Sequence, residues 1–195
     1  MTVTMRFRRK KKKKKKKTVV IYCSKYGATK QYARWIAAAL SCDLLEQYTV
    51  RPDDLDRYDT IIYGGGLYAG GVSGIKLLTK NADRLQQKNL LLFTCGIADP
   101  KDEDNVKHIR QALNKILPLQ LQNRIQLFHL RGSIDYKRLG LVHRMMMAML
   151  RKMIAKKDPT TLREEDRQLL ATYGQTIDFT DQSSIQPIVD AARNL

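Results

Sequence analysis

Cysteine is scarce and scattered. Cys23, Cys42 and Cys95 form no CxxC pair and stand near no histidine at ligand spacing. That excludes a zinc-ribbon type of site and a secreted disulfide framework. Only three histidines occur, His108, His129 and His143, with no mutual spacing suited to a metal, so each is expected to be structural, with His143 placed where it can face a substrate. No apolar run approaches the roughly 18 residues of a membrane-spanning helix. The stretch behind the basic N-terminus, Thr18 to Cys23, is too short for a signal-peptide core. A reducing, cytoplasmic setting is therefore expected. Acidic residues are also short: 19 Asp and Glu face 36 Lys and Arg in 195 residues, a net charge of +17.

That excess sits in two places. Residues 6–17 (RFRRKKKKKKKK) carry 11 positive charges and no negative one, and Arg131 to Lys157 carries eight against the single Asp135. The rest is nearly neutral, so the chain reads as a globular body with two basic appendages. Residues 1–17 are expected to be a disordered tail, because a lysine run repels itself and buries nothing. Such a tail suits an anionic-surface tether, a solubilising leader or an artefact of the start site. No recognition motif or basic-aromatic platform supports sequence-specific nucleic-acid binding.

The remaining chain, 18–195, alternates strand and helix. Apolar, β-branched runs predict strands over 18–23, 43–49, 60–63, 89–94 and 124–130. Helical spacing predicts helices over 28–40, 72–87 and 102–117, with Pro118 as a stop. This rhythm implies a parallel sheet with helices on both faces. Beyond residue 131 it breaks. A long Met-rich helix (137–156) and a short acidic one (162–172) precede a closing helix over 182–194, which makes 132–180 an insertion.

The most informative segment is the first strand together with the loop after it. Val20-Ile21-Tyr22 runs through Cys23 into Ser24-Lys25-Tyr26-Gly27-Ala28-Thr29, which opens the first helix. Backbone N–H groups and a helix dipole then point at one place, a site for a phosphate. Ser24 and Thr29 add hydroxyls, and Gly27 permits close approach. The loop has neither the Gly-Lys-Ser/Thr ending of a nucleoside-triphosphate loop nor a GxGxxG, so a phosphomonoester suits it best.

Val20, Ile21, Tyr22, Ser24, Gly27, Thr29, Ala33 and Ile36 resemble the flavodoxin signature at every specified position. The resemblance implies an α/β fold, a flavodoxin-like doubly wound five-stranded parallel sheet in the order 2-1-3-4-5, with the helical insertion before the last helix. It implies FMN at the carboxyl ends of the strands, where the order reverses. Its phosphate would lie on Ser24 to Thr29. Its ring would lie between Gly64, Gly65, Gly66, Leu67 and Tyr68 on one side and Thr94, Cys95 and Gly96 on the other. Tyr68 is then a candidate to stack on the flavin, and the thiols of Cys23 and Cys95 are expected to be core residues without redox roles.

The insertion, with Asp178-Phe-Thr-Asp181 after it, resembles that of the quinone-dependent protoporphyrinogen IX dehydrogenases. On a helical wheel Leu139, Val142, Met146, Met149, Leu150 and Met153 share a face, while Lys137, Arg144 and Arg151 follow a seven-residue spacing on another. Such a helix suits an anionic membrane surface, or a groove for a flat tetrapyrrole whose propionates meet those three cations. The resemblance therefore implies an FMN-dependent dehydrogenase passing electrons from a porphyrinogen to a quinone, in the cytoplasm or peripheral to the inner face of the cell membrane. No catalytic side chain is assigned, since flavin carries the chemistry. A carrier exchanging electrons with redox protein partners is the alternative, and a non-redox polyanion- or membrane-binding protein a third.

Overall fold

The computed structural model describes residues 16–68 and 71–195, so most of the expected tail, residues 1–15, lies outside the described residues. Lys17 already belongs to the fold. Its N–H donates to Asp59 Oδ2 at 2.9 Å, and its carbonyl accepts the N–H groups of Asp59 and Thr60.

Five parallel strands form the centre: β1 (Thr18–Cys23), β2 (Asp43–Glu46), β3 (Thr60–Tyr68) and, after a two-residue antiparallel strand β4 (Gly71–Val72), β5 (Asn89–Gly96) and β6 (Ile125–Arg131). Their order is β2-β1-β3-β5-β6, with β4 hung on β3. Counting parallel strands alone, that is the expected 2-1-3-4-5. Alternation of side chains along each strand sends one set to each face. Val19 and Ile21 pack with Leu78, Leu85 and Leu113 on one side. Val20 and Tyr22 pack on the other with Tyr32 and Ile36 of α1 (Ala28–Leu40) and with Ile188 and Val189 of the closing helix. Because both faces are covered, β1, β3 and β5 are apolar almost without break.

Several expected bounds shift, each for a local reason. The strand at 43–49 ends at Glu46, where a 3₁₀ turn over Gln47–Thr49 begins. The helix expected at 72–87 is two short ones, α2 (Lys76–Lys80) and α3 (Ala82–Leu85), broken at Asn81, whose side-chain amide bonds the Leu77 carbonyl. Then α4 (Glu103–Ile116) starts on Asp102, whose carboxylate accepts the Asp104 N–H at 2.9 Å, and α5 (Leu119–Gln122) follows Pro118. The strand expected at 60–63 runs on to Tyr68, so glycines 64–66 lie inside β3.

The insertion has strands of its own. β7 (Ser133–Asp135) pairs antiparallel with β8 (Thr176–Asp178), so both ends leave the body side by side. Between them stand α6 (Leu141–Ile154) and α7 (Glu164–Thr172). The Met-rich helix is shorter than expected, because Tyr136–Arg138 forms a separate 3₁₀ turn before it. A 3₁₀ turn over Gln182–Ile185 then leads into α8 (Gln186–Arg193). No described helix is long and apolar enough to cross a membrane.

Candidate functional site

At the carboxyl end of β1 the chain turns through Gly27, at φ +105°, a conformation that L side chains rarely adopt. α1 begins immediately afterwards with no side-chain cap and no acidic residue in its first turn. Its free amides and positive dipole end therefore face outward unneutralised, which favours an anion. Ser24 Oγ accepts the Gly27 N–H at 3.1 Å and braces the loop. Lys25 and Lys30 stand over the rings of Tyr26 and Tyr22. Thr29 is buried and its side chain lies beside the Cys95 thiol, favouring the thiolate slightly. Burial pushes the Cys95 thiol up to about 12 against that smaller pull, so it stays a neutral thiol.

A cavity of about 470 Å³ opens beside this loop, over the carboxyl ends of the central strands. Its floor comes from Tyr26, Ala28 and Thr29, from Leu67 and Tyr68 of β3, and from Cys95, Gly96, Ile97 and Ala98. Gly96 is closely covered: a Cβ there would lie 3.0 Å from Leu67 Cδ1. The roof is the insertion, which contributes His143, Met146, Met147 and Leu150 of α6 with Leu169 of α7 and Phe179. Ser24, Lys25 and Gly27 stand outside this lining, in the loop that opens α1.

Other expected site residues fall elsewhere. Gly64 and Gly65 are sheet interior: a side chain on the first would strike the Phe93 ring, and one on the second Val72. Their small size serves packing, and Gly66 likewise leaves room for the Tyr68 ring. Thr94 is fully buried, with Oγ1 2.8 Å from His129 Nδ1. Burial, aided by Arg110, pushes that imidazole down to about 4, so His129 is neutral and half-buried.

The three cations expected to meet propionates do not line the cavity either. Lys137 is exposed, Arg144 turns back to the carbonyls of Lys137 and Leu139, and Arg151 lies over the Tyr173 ring at 4.9 Å. The single apolar face expected on the helix is in fact two. Met146 looks into the cavity, Leu150 borders it while staying partly exposed, and Leu141, Val142, Met145, Met149 and Met153 are exposed.

Two joints fix the roof to the floor, and no local pattern in the sequence marks them. Arg131, at the end of β6, donates from Nε to the Ile97 carbonyl at 3.0 Å and bonds Gln168 of α7. It also pairs with Asp99 at 3.6 Å and covers the Phe179 ring at 3.7 Å. In the second joint, three rings from separate elements meet. The Tyr26 hydroxyl lies 2.7 Å from His143 Nδ1, and the imidazole stacks on Tyr68 with centroids 5.1 Å apart and planes 13° apart. Among the described residues no His/Cys/Asp/Glu cluster is arranged to hold a metal.

A family model described as a flavodoxin domain matches residues 19–161, from β1 through α6. The chain belongs to the flavodoxin-domain family. Solved structures of this kind include a flavodoxin from the domain Archaea (14% identity over 60% of this chain and 85% of that one, TM-score 0.40). A putative flavoprotein from Bacteroides eggerthii is 15% identical over 73% of this chain and 99% of that one, with a TM-score of 0.42. A Lactobacillus acidophilus flavoprotein in complex with FMN is 16% identical, covering 60% and 92%, with a TM-score of 0.36. No curated protein matches the chain.

Proposed function

We propose that the protein is an FMN-dependent oxidoreductase whose insertion encloses a second, flat and apolar redox partner against the flavin. FMN fits the residues present. The uncapped start of α1, free of acids, suits its phosphate, and the adjoining volume is that of a ligand pocket rather than a packing defect. Ser24, Gly27 and the first amides of α1 would hold the phosphate, and Leu67, Tyr68, Gly96 and Ile97 the ring. When bound, FMN supplies hydride and electron transfer; the chain supplies position and exclusion of water.

The observation that carries the oxidoreductase reading is the roof. His143, Met146, Met147 and Leu150 cover the end of the sheet, and unbranched methionines adapt to irregular apolar rings. The resemblance of the insertion supports a porphyrinogen as donor and a quinone as acceptor. Among the described residues the lining contains no lysine or arginine, so a ligand's carboxylates would remain at the mouth while its rings are enclosed. The exposed apolar face of α6, with Lys152 on the same helix and Lys156 just beyond it, supports contact with an anionic membrane by a chain otherwise in the cytoplasm.

A carrier is the second reading, favoured by the same exposed basic helix, which also suits an acidic redox protein. Titrating the purified protein with FMN should quench flavin fluorescence at one equivalent. Gly27→Asp should weaken binding about a hundredfold by setting a carboxylate against the phosphate, roughly 2.7 kcal/mol. With protoporphyrinogen IX and a menaquinone analogue, turnover should exceed that of free FMN. Turnover at the free-FMN rate, with flavin bound, would promote the carrier.

A further inference from the structure

The Tyr26–His143 contact has a direction. The Tyr26 oxygen accepts the Gly140 N–H at 3.3 Å, and its hydroxyl hydrogen is free to be donated to His143 Nδ1 at 2.7 Å, the assignment that uses both roles of the hydroxyl. Assigned from that pattern, Nδ1 is the acceptor and the neutral imidazole carries its hydrogen on Nε2. Stacking on Tyr68 fixes the plane of the ring, and Nε2 has no hydrogen-bond partner among the described residues. His143 lines the cavity together with both tyrosines.

The other ionisable groups in the lining are less well placed to relay a proton. Burial pushes the Tyr68 hydroxyl and the Cys95 thiol up to about 12 and raises Tyr136 as well. His108 stands at the exposed rim, and Glu165 faces Arg163 at 3.7 Å. His143 is the remaining imidazole, and the Tyr26 hydroxyl and the Tyr68 ring orient it.

We propose that His143 is a catalytic proton donor to a carbonyl acceptor of the quinone class, with Tyr26 as the positioning residue that fixes its tautomer and replaces its proton. This rests on the reading of the cavity as a flavin and acceptor site. In that reading reduced FMN, when bound, would supply the acceptor's hydride, and the protein supplies one proton. The His143 Nε2–H bond breaks as the acceptor's O–H bond forms. The Tyr26 O–H bond breaks as Nδ1–H forms, and the half-buried Tyr26 recovers its proton from water. Hydride plus proton converts a quinone to its hydroquinone, which closes the balance.

The experiment uses the full chain with FMN and a menaquinone analogue. His143→Phe keeps a flat ring on Tyr68 but has no proton to give. It should bind FMN within threefold of wild type and reduce the quinone about a hundredfold more slowly, the lower end for a general acid. His143→Ala should lose a similar factor and regain at least tenfold with added imidazole. Apart from activity, ¹⁵N shifts of the flavin-free protein should show a pyridine-like Nδ1 and a pyrrole-like Nε2 at His143. Tyr26→Phe should remove that bias. Flavin bound normally with His143→Phe turnover within threefold of wild type, or a protonated Nδ1 in the neutral ring, overturns the relay and leaves the cofactor reading standing. Failure to bind FMN at all overturns both, and the fluorescence titration reports it separately.

Discussion

Two layers meet at the cavity, and different side chains build them. In the floor, β1, β3 and β5 bury nearly every side chain, with Ile21, Ile61, Ile62, Tyr63, Leu92 and Phe93 all essentially inaccessible. In the roof, α6 buries only Ile154 fully and leaves six Met, Leu and Val side chains exposed. The roof is attached instead by directional contacts. These are the Arg131 cluster and the Tyr26–His143 bond, while Lys157 Nζ, 2.9 Å from Asp166, ties the roof to itself. Burial pushes the Asp166 carboxyl up, but Lys157 and the Arg163 N–H outweigh it and hold it low. Area burial is insensitive to small movements, whereas a hydrogen bond is lost within an ångström. The floor therefore behaves as one cooperative unit, and the roof can open locally at a fraction of the global cost.

The comparison breaks most visibly at Gly64. Alanine there forces a methyl into the Phe93 ring between two covered faces. It should cost about 3 kcal/mol of global stability, read as a lowered melting temperature. A neutral result would mean that the sheet tolerates repacking as the roof does. Arg131→Met should act on the other layer. Losing its bonds to Ile97, Gln168 and Asp99 should release about 2 kcal/mol of roof docking. Hydrogen exchange in α7 and β8 should then accelerate about thirtyfold while β1, β3 and β5 stay protected. Uniform acceleration would show that the two layers unfold together. The smallest stability effect belongs to the outer face of α6. Met145→Glu with Met149→Glu should change stability by no more than about 0.5 kcal/mol, since both are exposed. The pair should nevertheless abolish retention on phosphatidylglycerol vesicles at 0.5 M salt, roughly where the Debye length has shrunk enough to screen the basic leader. Retention unchanged by the two glutamates would remove the case for a lipid-facing surface.

The floor was legible because its signals are local. The run from Val20 to Ile36 carries strand, loop and helix start in consecutive residues, and the alternation of elements leaves few ways to order the strands. Glycine misled at 64–66, where a turn signal in sequence proved to be space for Phe93, Val72 and Tyr68. The Met-rich helix was legible as amphipathic but not as two-faced. A wheel shows which side chains share a side, not which side meets the protein, so Met146 and Met149 were grouped although the cavity separates them. Arg131 and Phe179 were out of reach. Their partnership joins a strand end to a loop nearly fifty residues on, and neither residue is unusual where it stands.

The pairing of Ser133 with Asp178 has a further consequence. The long excursion between β6 and α8 begins and ends at neighbouring points, so the entropy of closing it is met at its own stem rather than by the sheet. For such a stem-closed loop that entropy grows only with the logarithm of length, each doubling adding about 0.6 kcal/mol. Lengthening, shortening or exchanging the segment between Asp135 and Thr176 is therefore thermodynamically cheap. Evolution can graft a different cap onto the same flavin platform without renegotiating its core.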